Sequence, residues 1–267
     1  MAYIQSNGIN IYYEMKGTGT PLILISGLGG DHHFWGASVE ILAVHFRVIR
    51  FDTRGIGKTD APVTPYSMDL FTEDLHGLMT ELNIPKAHLL GFSMGGNIAA
   101  SFTIKYPERV DRLIIAASHA KMNRQVRMFV DAVLQVYEKG ISTKEMFELI
   151  CPWLFSHSFI EPPENAAYFY FDEHEPDQQP LYAWKNQYLA QRDYNVTASI
   201  SSITHRTLIL HGEQDLFASR DDAMFMHEQI KNSVLKLFPS SGHLINFENP
   251  EMFHREVSGF LLESDIL

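Results

Sequence analysis

The stretch Leu90-Gly91-Phe92-Ser93-Met94-Gly95-Gly96 sets a serine hydroxyl among glycines directly after an apolar run. Such a hydroxyl is a poor nucleophile until a base takes its proton, and an imidazole acting as that base needs a carboxylate to orient it and stabilise its charge. Gly-x-Ser-x-Gly is short enough to arise by chance, so the partners must come from elsewhere. With 13 histidines in the chain, position rather than presence selects one. His243 follows the apolar run Ser233 to Phe238, and Asp215 follows the run Arg206 to His211. Serine, aspartate and histidine in that order, each past its own strand, let one sheet aim three side chains at a single point. Ser93, Asp215 and His243 are the candidate catalytic residues.

Attack on a carbonyl develops negative charge on oxygen, which preorganised backbone N–H groups stabilise. Met94, next to the serine, offers one; Leu28, in the loop Ser26-Gly27-Leu28-Gly29-Gly30, offers the second. Phe92, Trp153, Leu216 and Leu244 are candidates for an apolar substrate wall. His119 and Arg124 could meet a polar or carboxylate end of the substrate, or serve only as surface or hinge residues.

The elements that must position these groups are legible as apolar runs. A hairpin opens the chain: Ala2 to Gln5, a turn at Ser6-Asn7-Gly8, then Ile9 to Glu14 in alternation. Strand-length runs follow at Pro21–Ile25, Phe46–Phe51, Ala87–Gly91, Val110–Ala116, Arg206–His211 and Ser233–Phe238, separated by helical stretches. Uniformly apolar strands alternating with helices predict an α/β fold with a mostly parallel central sheet covered on both faces. A closing helix is expected from Phe247 to Leu262, and Tyr106-Pro107 should end the helix after the serine. Between about Lys121 and Ser199 no strand-length run occurs, only amphipathic stretches such as Arg124–Glu138 and Thr143–Ile150, with many aromatics. The expected domains are a core of residues 1–120 and 200–267 and a helical insertion at 121–199.

Composition excludes other classes. The 267 residues are 45% hydrophobic with a net charge of −11, unsuited to a phosphate backbone, so no nucleic-acid partner is expected. No segment reads as a signal peptide or a membrane span, which predicts a cytoplasmic protein with no membrane partner. The single cysteine, Cys151, lies among apolar residues and reads as a packed thiol. Gly55-Ile56-Gly57-Lys58-Thr59 lacks the first glycine of a phosphate-binding loop, since Asp52 stands there. Asp52 and Arg54 are read instead as holding their loop in place. Asp31-His32-His33 should project apart, so no metal is expected.

Taken in order, SGLGG at 26–30, FDTRGIGKTD at 51–60, GFSMGG at 91–96, HGEQD at 211–215 and SGH at 241–243 resemble the α/β-hydrolase fold family over nearly the whole chain. Ser26-Gly27 stands where that family usually has His-Gly. The resemblance implies that 121–199 is a helical cap. It points toward small cap-bearing enzymes such as 3-oxoadipate enol-lactonases, aminoacrylate hydrolases and cofactor-free perhydrolases. A serine nucleophile argues against haloalkane dehalogenases and epoxide hydrolases, which use aspartate. The expected activity is cofactor-free hydrolysis of a small-molecule ester, lactone or related acyl substrate by a monomer or homodimer. Acyl transfer, perhydrolysis or C–C cleavage on the same residues, and a non-turnover binding protein on the same fold, stand as alternatives.

Overall fold

The computed structural model describes residues 2–171 and 179–263; residues 172–178 of the expected insertion, and 1 and 264–267 of the expected core, lie outside the described residues. In chain order the elements are β1 (Ala2–Ser6), β2 (Ile9–Lys16), β3 (Pro21–Ile25), α1 (Gly36–Leu42), β4 (Arg47–Phe51), α2 (Met68–Glu81), β5 (Ala87–Phe92), α3 (Met94–Lys105) and β6 (Val110–Ala116). Then come α4 (Arg124–Glu138), α5 (Thr143–Leu154), α6 (His157–Ile160), α7 (Leu181–Arg192), β7 (Arg206–Gly212), α8 (Arg220–Gln229), β8 (Ser233–Phe238), α9 (Ile245–Glu248) and α10 (Pro250–Leu262). Short 3-10 turns at His32–Trp35, Pro107–Arg109, Pro163–Phe169 and Ile200–Ser202 connect them.

The strands form one sheet in the order β1-β2-β4-β3-β5-β6-β7-β8. The β1–β2 and β2–β4 pairings are antiparallel and the rest parallel. At the hairpin, Asn7 and Gly8 both take positive φ (48° and 74°), the conformation a two-residue turn needs to match strand twist. Along the central strands side chains alternate between two apolar layers. Leu89, Leu113 and Ile209 pack with Leu75 and Leu78 of α2 and Phe102 of α3. Leu90, Ile114 and Leu208 pack with Leu42 of α1 and Phe253 and Val257 of α10. A third apolar cluster joins α4 to α7 through Val130, Leu134, Trp184 and Tyr188. An isolated antiparallel bridge between Lys121 and Asn195 ties the start of this helical excursion to its end.

Two elements differ from expectation. The single closing helix is two, α9 and α10, because Pro250 lacks an N–H to continue the first and begins the second, with the Asn249 side chain accepting from Met252 N–H. Helix α5 continues past Ile150 to Leu154 with Pro152 inside it. No helix among the described residues is long and apolar enough to cross a membrane.

Candidate active site

Ser93 sits between β5 and α3 with φ 53° and ψ −118°, a strained conformation for a residue with a side chain. Its surroundings hold it there: Ser93 N–H donates to Ala116 O at 2.9 Å, and its carbonyl accepts from Gly96 N–H (2.9 Å), Asn97 N–H (3.2 Å) and Ser118 Oγ (2.8 Å). The turn requires glycine on both sides. A Cβ on Gly91 would fall 2.2 Å from Gly95 O, and one on Gly95 would fall 2.1 Å from Ile25 O.

The expected partners converge on this serine. His243 Nε2 lies 3.1 Å from Ser93 Oγ, and its Nδ1 lies 2.8 Å from Asp215 Oδ2. The other Asp215 oxygen accepts from Phe217 N–H (2.7 Å) and Ala218 N–H (3.0 Å), which fixes the carboxylate. Burial alone would raise the pKa of Asp215, yet the adjoining His243, with help from His211 and the Ala218 N–H, holds it below the usual carboxylate range. The His243 backbone N–H donates to Leu154 O at 3.0 Å, so the end of α5 braces the histidine loop.

A cavity of about 520 Å³ opens at these groups, bordered by Leu28, Phe92, Ser93, His243 and Leu244 and by Ile150, Cys151 and Leu154 of α5. Among the described residues neither Leu28 N–H nor Met94 N–H makes a backbone–backbone hydrogen bond outside the helices and strands. Ser26 Oγ supports the Leu28 loop by donating to Asp31 O at 3.1 Å. Phe92 packs its ring 5.2 Å from that of His243. Cys151 is buried, and burial pushes its thiol up to about 11.

Other expected residues lie elsewhere. Trp153 is 47% exposed, its ring tilted at 5.4 Å from that of Phe129, and Leu216 is 57% exposed; neither borders this cavity. The turn fixed by Asp215 points the next residue inward instead: Phe217 lies 5.4 Å from the His243 ring. Hydrophobicity does not separate Phe217 from Leu216; the hydrogen bonds of Asp215 to the Phe217 and Ala218 N–H groups decide which turns inward. Arg124 is exposed at the start of α4, whereas His119 is buried near the triad. Asp31, His32 and His33, expected to project apart, bring ligand atoms within 4.8 Å of one another. Their bonds are internal: His32 Nδ1 lies 2.9 Å from Asp52 Oδ1, and Asp31 Oδ1 accepts from His33 N–H. Asp52 also accepts from Lys58 N–H, and Arg54 grips Asp74 at 2.6 and 2.7 Å, the loop-holding roles expected for both.

The sequence profile of the alpha/beta hydrolase fold matches residues 20–250. A 3-oxoadipate enol-lactonase 2 of Acinetobacter baylyi is 30% identical over 241 residues, covering 90% of this chain and 88% of its own. The crystal structure of the enol-lactonase from Burkholderia xenovorans LB400 superposes with a TM-score of 0.86 at 25% identity, over 98% of this chain and 100% of that one. The meta-cleavage product hydrolase CumD of Pseudomonas fluorescens IP01 superposes at 0.84 with 26% identity, over 98% and 97% of the two chains.

Proposed function

Because the chain belongs to the α/β-hydrolase fold family, we propose that it is a serine hydrolase that cleaves a small carboxylic ester, lactone or related acyl substrate. The observation that carries this reading is the unbroken relay from Asp215 through His243 to Ser93, with contacts of 2.8 and 3.1 Å, at the wall of the 520 Å³ cavity. In this reading His243 takes the Ser93 proton as Oγ attacks the carbonyl, and the Leu28 and Met94 N–H groups hold the oxyanion. His243 then gives its proton to the leaving oxygen, and Asp215 stabilises the imidazolium between the two transfers. Water activated by the same histidine releases the acid from Ser93. Residues 121–199 act as a cap on a core of 1–120 and 200–267, and the cap's α5 supplies part of the cavity wall.

The test is a hydrolysis panel of esters and lactones of graded acyl length, with a fluorophosphonate as active-site label. Ser93→Ala is expected to lose labelling and at least about 10³-fold in kcat/KM. Equal rates in the two proteins would remove Ser93 from the mechanism. Labelling without turnover of any substrate would favour a binding protein instead.

A further inference from the structure

A second cavity of about 120 Å³ shares Leu28, Ser93, Leu154, Trp184 and His243 with the larger one, so the two meet at the reacting groups. Its remaining wall is mostly apolar, from Val126, Phe129 and Val130 of α4 and from Phe217, but it includes His119 and Gln191. Two neighbouring polar donors are already committed: Tyr188 hydroxyl donates to Asp131 Oδ1 at 2.8 Å and Gln191 Nε2 to Asn97 Oδ1 at 3.0 Å. His119 differs. Its carbonyl is held by Asn97 Nδ2 at 2.7 Å, but its Nε2 is enclosed without a hydrogen-bond partner among the described residues. Nearly all buried polar groups are satisfied, so this ring, at the wall of a cavity that also borders Ser93, has a hydrogen-bonding capacity that no described protein group uses.

The chemistry of a ligand that would use it follows from the surroundings. Burial lowers His119 to about 4, leaving the ring neutral; Asp222 and Asp215 act against that shift, and His243 and His211 act with it. A neutral imidazole near carboxylates suits an uncharged oxygen and disfavours another carboxylate. The two halves of an ester also need different amounts of room. The leaving group must depart and water must replace it, which the wider cavity allows; the acyl part stays on Ser93 and gains from being held.

We propose that the small cavity is the acyl subsite and that His119 selects there a short acyl chain bearing an uncharged hydroxyl or keto oxygen. The proposal rests on the serine-hydrolase reading above. A volume of about 120 Å³ limits the acyl chain to a few heavy atoms. Three carbons and one oxygen beyond the carbonyl suit it, as in a 3-hydroxybutyryl or 3-oxobutyryl ester.

The experiment compares kcat/KM for the 4-nitrophenyl esters of butyrate, 3-hydroxybutyrate and succinate. Wild type is expected to prefer 3-hydroxybutyrate over butyrate by about tenfold or more, with succinate poorest. In His119→Leu that ratio should fall to near one, and His119→Gln, which keeps a donor and an acceptor, should retain part of it. A ratio of two substrates on one protein is insensitive to how much of the variant folds, so a merely structural histidine would leave it unchanged. A wild-type ratio near one, a ratio that survives in His119→Leu, or succinate as the best substrate would each overturn the proposal. If Ser93 takes the fluorophosphonate while the ratio is near one, this proposal alone fails; if neither labelling nor turnover occurs, the underlying reading fails with it.

Discussion

Among single residues, Asp215 carries the sharpest division of labour. One oxygen is bound to the backbone at Phe217 and Ala218 and the other faces His243 Nδ1. Asp215→Asn can keep the backbone contacts through its Oδ1, but its amide N–H₂ then faces Nδ1 and forces that nitrogen to accept. The ring proton moves to Nε2, the atom that must take the serine proton. Kcat is therefore expected to fall by about 10⁴ while the thermal midpoint changes little. A loss under tenfold, in protein that remains folded, would mean that Asp215 does not set the tautomer.

At the scale of elements, the site depends on how the end of α5 is joined to the histidine loop. Glu248, in α9, accepts from Gly242 N–H (2.9 Å), Ser156 N–H (3.2 Å) and Ser156 Oγ (2.5 Å), so one carboxylate clamps the loop before His243 to the chain after α5. Glu248→Gln leaves one acceptor oxygen and turns an N–H₂ group toward donors. Leaving a buried donor unpaired costs about 1–3 kcal/mol, which in a chain of this size lowers the thermal midpoint by a few degrees. A parallel fall in kcat/KM is expected because His243 loses its brace; a variant with wild-type values in both measurements would show that the clamp does not matter. The sequence made the strands of this arrangement readable because buried parallel strands are continuous apolar runs, and it marked Ser93, Asp215 and His243 because each follows such a run. Glu248 was not readable, since its partners lie 6 and 92 residues away and no local pattern links them. The inward turn of Phe217 in place of Leu216 was hidden for a related reason: it depends on the hydrogen bonds of Asp215, not on hydrophobicity. The break at Asn249-Pro250, by contrast, was visible in the proline itself.

For the molecule as a whole, buried imidazoles set the response to acid. Burial lowers His119 to about 4 and also lowers His211 and His254, so all three are neutral in the fold. In the unfolded chain they return to the ordinary value near 6.5. Below that value the unfolded chain binds more protons than the folded one, so the stability present above about pH 6.5 is lost as pH falls toward the folded values. Glu14 extends the loss to lower pH: burial opposes its ionisation, but the Tyr12 hydroxyl and the Arg50 guanidinium outweigh that and hold it at about 2. Glu248, raised by burial, works in the opposite sense and offsets part of the effect. Each additional proton bound on unfolding changes stability by about 1.4 kcal/mol per pH unit. The urea midpoint is therefore expected to be lower at pH 5 than at pH 7, and His119→Phe, which cannot take up that proton, should narrow the gap between them. A midpoint that holds or rises at pH 5 in the wild type would mean that groups of the Glu248 kind outweigh the buried histidines, and an unchanged gap in His119→Phe would remove His119 from the balance.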